Sequence, residues 1–305
     1  MRPSRRVGPL FVMAAICALT PNLALAWNNQ GHMAIGEIAY DELARTNLRM
    51  VRQIVRTADA LPRREILDAA LKGLIGADRD RLTFAYLARW PDDIRGTEQD
   101  RPDHHYRLRG LSDFGALLPI RAGHADSEIA HDLAVLHDHA AYARDKAIAL
   151  AWLFHVEGDM HQPLHAGTWL SWTFPKSDRA GTIAYVRRAP GAEADNLHNF
   201  WDGAPDRPGS NVDGTRALAI DVVHKYPRAS LIELRARSDD FSVWAEESAI
   251  LARKITYQDS ALHLSPTPAG ATVLTPRYVA VARALSERRV ATAGYRLADI
   301  LAETR

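Results

Sequence analysis

His155 and Asp159 stand four residues apart, and so do His198 and Asp202. On a helix this spacing puts both side chains on one face, one turn apart and aimed at a shared point. An imidazole and a carboxylate converging in this way can hold a divalent metal ion such as zinc. The first pair closes a run, 147–154, that is apolar on most sides. An unpaired Asp or His buried there would be costly, and a hydrogen bond between the two would settle that cost for one pair alone. Between the pairs lies Gln162-Pro163-Leu164-His165, where Pro163 ends one helix and redirects the chain that carries His165. Two pairs and a linking histidine are hard to explain as core packing, and the set predicts metal binding.

Further donors lie upstream. Trp90-Pro91-Asp92-Asp93-Ile94-Arg95 offers two aspartates, and His104-His105-Tyr106 offers two histidines. Spacing does not choose within either pair, since an Asp can cap a helix and a His can be a surface residue. His161 falls in a different helical phase from His155 and Asp159 and is left out of the ligand set. His124, His131, His137 and His139 alternate with Asp126, Asp132 and Asp138, which reads as a solvated helix face.

The chain begins as a secretory leader would. Arg2, Arg5 and Arg6 are followed by an apolar stretch over 10–19 and by Ala24 and Ala26, so 1–26 reads as a signal peptide. The apolar stretch is too short to span a bilayer well. Cleavage after Ala26 would make Trp27 the mature terminus, whose free amine and carbonyl can act as metal ligands, with His32 five residues on. The one cysteine, Cys17, lies in the leader. The mature chain therefore has neither disulfides nor thiolate zinc sites, and any zinc must rely on His, Asp and terminal groups. Without the leader, 35 basic residues face 37 acidic ones, a formal balance of −2. A nucleic-acid binder of that balance needs positive charge from elsewhere, for which bound cations would serve.

Most of the remaining chain has helical periodicity: 34–43, 48–55, 66–74, 133–158, 220–224, 241–256 and 278–301. Pro91, Pro102, Pro163, Pro205 and Pro208 punctuate the stretches between. Only 168–188 is strand-like and suited to a hairpin. No linker or repeat divides the chain, so residues 27–305 are predicted to form one compact all-α domain with a small β element.

These motifs in this order resemble the S-one/P-one nucleases, secreted zinc-dependent single-strand nucleases that share a fold with zinc-dependent phospholipase C. The resemblance covers nearly all of the mature chain. It runs from Trp27-Asn28-Asn29-Gln30-Gly31-His32 through the Asp92 and His105 segments to His155-Val156-Glu157-Gly158-Asp159-Met160-His161-Gln162-Pro163-Leu164-His165. It continues through Asn196-Leu197-His198-Asn199-Phe200-Trp201-Asp202 to Ala293-Gly294-Tyr295-Arg296-Leu297-Ala298. It implies the phospholipase C/P-one nuclease fold and three zinc ions. One would be held by Asp92, His105, His155 and Asp159. A second, sharing Asp159, would take His32 and the amine and carbonyl of Trp27, and a third would sit on His165, His198 and Asp202. It also favours Asp92 over Asp93 and His105 over His104.

The implied activity is endonucleolytic cleavage of single-stranded DNA and RNA to 5′-phosphates, with 3′-nucleotidase action, by attack of zinc-activated hydroxide. Asp92 and Asp159 would be catalytic through the metals. Arg95 would support the phosphate or Asp92, and Tyr106 would stack a base. The implied enzyme is a monomer, exported to the periplasm or beyond. Two other readings share the same metals: a phospholipase C-like phosphodiesterase touching lipid through a hairpin at 169–185, and a non-catalytic zinc-binding protein. The chain departs from the family pattern in three places. There is no acid between Tyr106 and Asp113, Ala180-Gly181-Thr182 replaces a Gly-Gly-Asn turn, and Gly203 follows Asp202. These changes put base preference and proton transfer in question, not the metals.

Overall fold

The computed structural model describes residues 27–112, 118–235 and 241–304. The leader expected at 1–26 lies outside them. Eleven α-helices appear among the described residues, with two small sheets at one side. At the centre is α1 (Asn29–Thr46), packed on α4 (Gly76–Asp93), α9 (Asn211–Lys225) and α11 (Pro276–Glu303). Every residue of α1 from Gln30 to Tyr40 is buried, as is every residue of α6 (Ala143–Asp159) from Ala147 onward. A helix covered on all sides needs apolar residues all round or polar ones with dedicated partners. Within these buried stretches the polar side chains are few: Gln30, His32 and Glu37 on α1, and His155, Glu157 and Asp159 on α6.

Helices appear where periodicity predicts them, with two differences. The run 133–158 is broken, because α5 (Ala125–His137) ends before α6 begins. α4 lies outside the predicted helical runs, because a proline such as Pro91 reads as a boundary. Pro91 instead lies inside its last turn, where the missing N–H costs only the bond that Leu87 O would have received.

The small β element is also arranged differently from the expected hairpin. β1 (Leu108–Ser112) pairs antiparallel with β2 (Leu118–Ala122) and parallel with β3 (Gly167–Leu170). β4 (Tyr185–Arg187) pairs antiparallel with β5 (Ala194–Asn196) and parallel with β6 (Thr272–Val273). The two strands within 168–188 therefore belong to different sheets. Their pairings serve the metal residues directly. Arg109 opposite Gly167 sets the strand after His105 beside the strand after His165, and Arg107 N–H donates to His165 O at 2.9 Å. β5 ends at Asn196, whose side chain caps α8 (Leu197–Asp202) by accepting from Asn199 N–H.

Candidate metal centre

α1 supplies His32, α4 Asp92, and α6 both His155 and Asp159. A 3₁₀ turn (Pro102–His105) supplies His105, the four-residue α7 (Pro163–Ala166) His165, and α8 both His198 and Asp202. Asp159 is central. Its Oδ1 lies 3.3 Å from His32 Nε2 and 3.7 Å from His165 Nδ1. Its Oδ2 lies 2.9 Å from His105 Nδ1 and 3.3 Å from His155 Nε2. Three sets gather their donor atoms within 4.8 Å: His32, Asp92 and His155; His105, His155 and Asp159; His165, His198 and Asp202. The first two also share His155, whose ring stacks on His32 at 3.9 Å.

For three of the five rings the polypeptide fixes which nitrogen can coordinate. His155 Nδ1 faces Ala88 O at 2.8 Å and His198 Nδ1 faces Ala180 O at 2.7 Å. His165 Nδ1 faces His105 O at 2.6 Å. A nitrogen directed at a carbonyl carries the proton, which leaves Nε2 with a lone pair turned inward. His165 Nε2 and His198 Nε2 then oppose each other at 3.2 Å. Two acceptors at that distance repel unless something positive lies between or beside them.

Metal ions fit these residues. Both ring nitrogens of His32, His105 Nε2, Asp92 Oδ2, Asp159 Oδ1 and Asp202 Oδ2 are buried without a hydrogen-bond partner. Unsatisfied polar atoms collected in one buried place are what a site for cations leaves behind. Burial, reinforced by neighbouring imidazoles, drives His32, His105 and His165 well below the ordinary imidazole range. Burial lowers His155 as well, although Asp92 opposes it. The rings are thus neutral, as ligation requires. Burial raises the Asp159 and Asp202 carboxyls well above their usual range. Cations would restore them to carboxylates.

Neighbouring groups decide the two ambiguous pairs. Arg89 draws Asp93 aside through bonds of 2.9 and 2.8 Å, so Asp92 faces the centre. His104 Nδ1 lies 3.3 Å from Glu128, and His105 turns inward. Arg95 grips Asp92 Oδ1 through Nε at 2.9 Å and Nη2 at 2.6 Å. Tyr106 stacks on His165 at 4.5 Å with 17° between the planes, so one face of its ring is already taken. Trp27 is buried with its indole N–H donating to Gly158 O at 3.0 Å. Gly158 permits this arrangement, because a Cβ there would lie 3.0 Å from His32 Nδ1.

His161 lies outside the centre. It is buried, its Nδ1 faces Glu157 O at 2.8 Å, and its Nε2 accepts from Arg296 at 2.9 Å. Arg289 donates to His161 O at 3.1 Å and Ser248 to Met160 O at 2.6 Å, locking the end of α6 to α11 and to α10 (Ser242–Leu251).

His124, His131, His137 and His139 are exposed, as expected for a solvated face. Asp132 is not: it is buried, with Arg101 3.6 Å away, and burial pushes its carboxyl up to about 8. Of the aromatics at 169–185, Trp169 stacks on Tyr257 at 4.9 Å and Phe174 is buried. They pack the core, and only Trp172 is strongly exposed. Sequence reasoning also gave no role to Gln162, whose Nε2 donates to Asp202 Oδ1 at 2.6 Å. Its place between two ligands was the available signal.

A mainly helical fold closed around three buried His/Asp sets defines a metal-dependent class of protein. The family model described as S1/P1 Nuclease matches residues 27–305, and the chain belongs to that family. With its three clusters it is a zinc-dependent, nuclease-type hydrolase. A search of curated proteins matched none to this chain.

Proposed function

We propose that the protein is a single-strand-specific endonuclease that cleaves DNA and RNA to 5′-phosphate products and removes 3′-phosphates from nucleotides. The observation that carries this reading is that the three His/Asp sets form one continuous buried centre, joined through Asp159 to His32, His105, His155 and His165. One zinc would be held through Asp92, His105, His155 and Asp159, ligands drawn from two of the three geometric sets. The second would use His32, Asp159 and the terminal amine and carbonyl of Trp27, exposed once 1–26 is removed on export to the periplasm or beyond. His165, His198 and Asp202 would hold the third.

Zinc bound there supplies Lewis acidity, activating water for attack on phosphorus and neutralising charge on the phosphate. The chain's own groups do the rest. Asp159 keeps the sets in register from one carboxylate. Arg95 spends Nε and Nη2 on Asp92, which leaves Nη1 to donate to a phosphate oxygen. Tyr106, backed by His165, turns its remaining face to a nucleobase. Because the donor side chains are almost wholly buried, the phosphate must sink below the surface, which a flexible strand can do and a stiff duplex resists.

The test compares zinc-loaded protein on denatured DNA, duplex DNA, RNA and phosphatidylcholine. Rapid cleavage of the denatured DNA and RNA is expected, with little action on the duplex. Turnover of phosphatidylcholine without nucleic-acid cleavage would reject the proposal.

A further inference from the structure

Asp178 is fully buried on a segment that holds no ligand. Its Oδ1 accepts from Thr168 Oγ1 at 3.0 Å and from Trp169 N–H at 2.8 Å. Its Oδ2 accepts from Tyr257 Oη at 2.7 Å. Its own N–H donates to Trp169 O at 2.8 Å, so the residue staples β3 to the turn that follows it. In that turn Arg179, Ala180 and Gly181 have φ of +52°, +55° and +84°. Three successive residues in the left-handed region, two of them with a Cβ, persist only where surrounding contacts impose them. Ala180 N–H is held by Thr168 Oγ1 at 3.0 Å, and the turn delivers Ala180 O to His198 Nδ1 at 2.7 Å.

The consequence lies in the imidazole. With Nδ1–H held by Ala180 O, His198 Nε2 carries the lone pair, 3.2 Å from His165 Nε2 and 3.6 Å from Asp202 Oδ2. Without that carbonyl the ring is free to take the other tautomer and donate Nε2–H to His165 Nε2. That hydrogen bond would satisfy both rings and close the site to a cation.

We propose that Asp178 is a positioning residue for the third cluster: through Thr168 and the left-handed turn it holds Ala180 O against His198, excluding the self-satisfied histidine pair and keeping the site open to zinc. The inference rests on the zinc reading of His165, His198 and Asp202.

Two readouts test it, on wild type, Asp178→Ala and Thr168→Val. Thr168→Val keeps the shape of the side chain and removes the hydroxyl that joins Asp178 to Ala180. In metal-free protein labelled with ¹⁵N-histidine, wild-type His198 should show a protonated Nδ1, and both variants should shift towards protonated Nε2. In competition with a chromophoric chelator, both should bind one zinc equivalent roughly 10–100-fold more weakly, the scale for losing an outer partner of a ligand, and the other two as before. Neither substitution should weaken zinc further in a His198→Ala background. Asp178→Asn, whose amide oxygen still accepts from Thr168 and Trp169, should stay close to wild type. Unchanged His198 tautomer and affinity in the variants, or an equal loss at all three equivalents, would overturn the inference. Wild type without zinc would instead sink the functional reading, and the tautomer measurement would still decide the role of Asp178.

Discussion

His32, Asp92, His155 and Asp159 ride on helices of 17 or 18 residues, whereas His165, His198 and Asp202 sit on helices of four and six. The long helices are placed by the apolar surface they bury, and the end of α6 is locked by Ser248, Arg289 and Arg296. Helices of four and six residues cannot hold themselves in water. Their ligands are fixed instead by individual hydrogen bonds from Gln162, His105 O and Ala180 O, the last presented by a strained turn. One half of the centre thus adds polar contacts to packed helices and the other depends mainly on polar contacts, so the two halves should fail differently.

Asp159 is where they meet, and Asp159→Asn should do the greatest harm. Losing several kcal/mol of charge stabilisation corresponds to about 10³-fold in single-strand DNA hydrolysis, measured as kcat/KM on zinc-saturated protein. Activity near wild type would mean that the halves do not work as one centre.

Gly158→Ala sharpens the contrast from the packed side. Its Cβ would press on His32 Nδ1 and Ile35 Cδ1, each 3.0 Å away, where no loop can yield. It should destabilise the fold by about 1–3 kcal/mol in chemical denaturation. Zinc should weaken at the His32 set and hold at the His198 set. Loss at the third cluster alone would contradict the division.

Each half contributes one carboxyl to the next prediction. In zinc-free protein, burial keeps Asp159 and Asp202 well above their ordinary value of 3.8, so the folded chain retains protons that the unfolded chain releases. Their stabilising effect is complete below that value and is lost as pH rises through the raised folded values. The buried imidazoles act in the opposite sense, costing stability only as pH falls below their ordinary 6.5. Above 6.5 only carboxyls remain, and buried Asp132, pushed up to about 8, and Glu157 act in the same sense with or without zinc. Zinc-free protein should then lose stability with rising pH, by at most about 1.4 kcal/mol per carboxyl per unit. Zinc replaces the protons of Asp159 and Asp202, so the loaded protein should lose less stability and the gap should widen. Urea denaturation between pH 6.5 and 8 decides it, and parallel curves would count against buried protonated carboxyls.

Ala180→Gly should have the smallest effect. It relieves a left-handed alanine worth about 1–2 kcal/mol and adds about 0.5–1 kcal/mol of unfolded-chain entropy, for a net gain near 0.5 kcal/mol. Third-site affinity should be unchanged, because the carbonyl that meets His198 remains. A loss of stability would show that the alanine methyl matters more than the strain.

What could be read from the sequence cuts across that division. The helical pairs of both halves are legible because helical periodicity and four-residue spacing follow from one geometry. That geometry placed His155 with Asp159 and His198 with Asp202, and set His161 apart. α4 escapes this signal because Pro91 reads as a breaker, although a last-turn proline costs little. The choices of Asp92 over Asp93 and His105 over His104 depend on Arg89 and Glu128, partners that spacing does not reveal. Asp132 is a buried acid in a stretch that reads as solvated, and Asp178 one in a stretch that reads as strand; their partners Arg101 and Tyr257 lie far along the chain. Polar contacts across the fold leave little periodic trace.

The most direct trial of the central claim is to strip protein beginning at Trp27 of metal, return zinc stepwise, and follow metal content and single-strand DNA hydrolysis in the same samples. Three equivalents should bind, with hydrolysis absent at the start and recovered as the last is taken up. Hydrolysis that survives stripping, or protein that takes up no zinc, would contradict it.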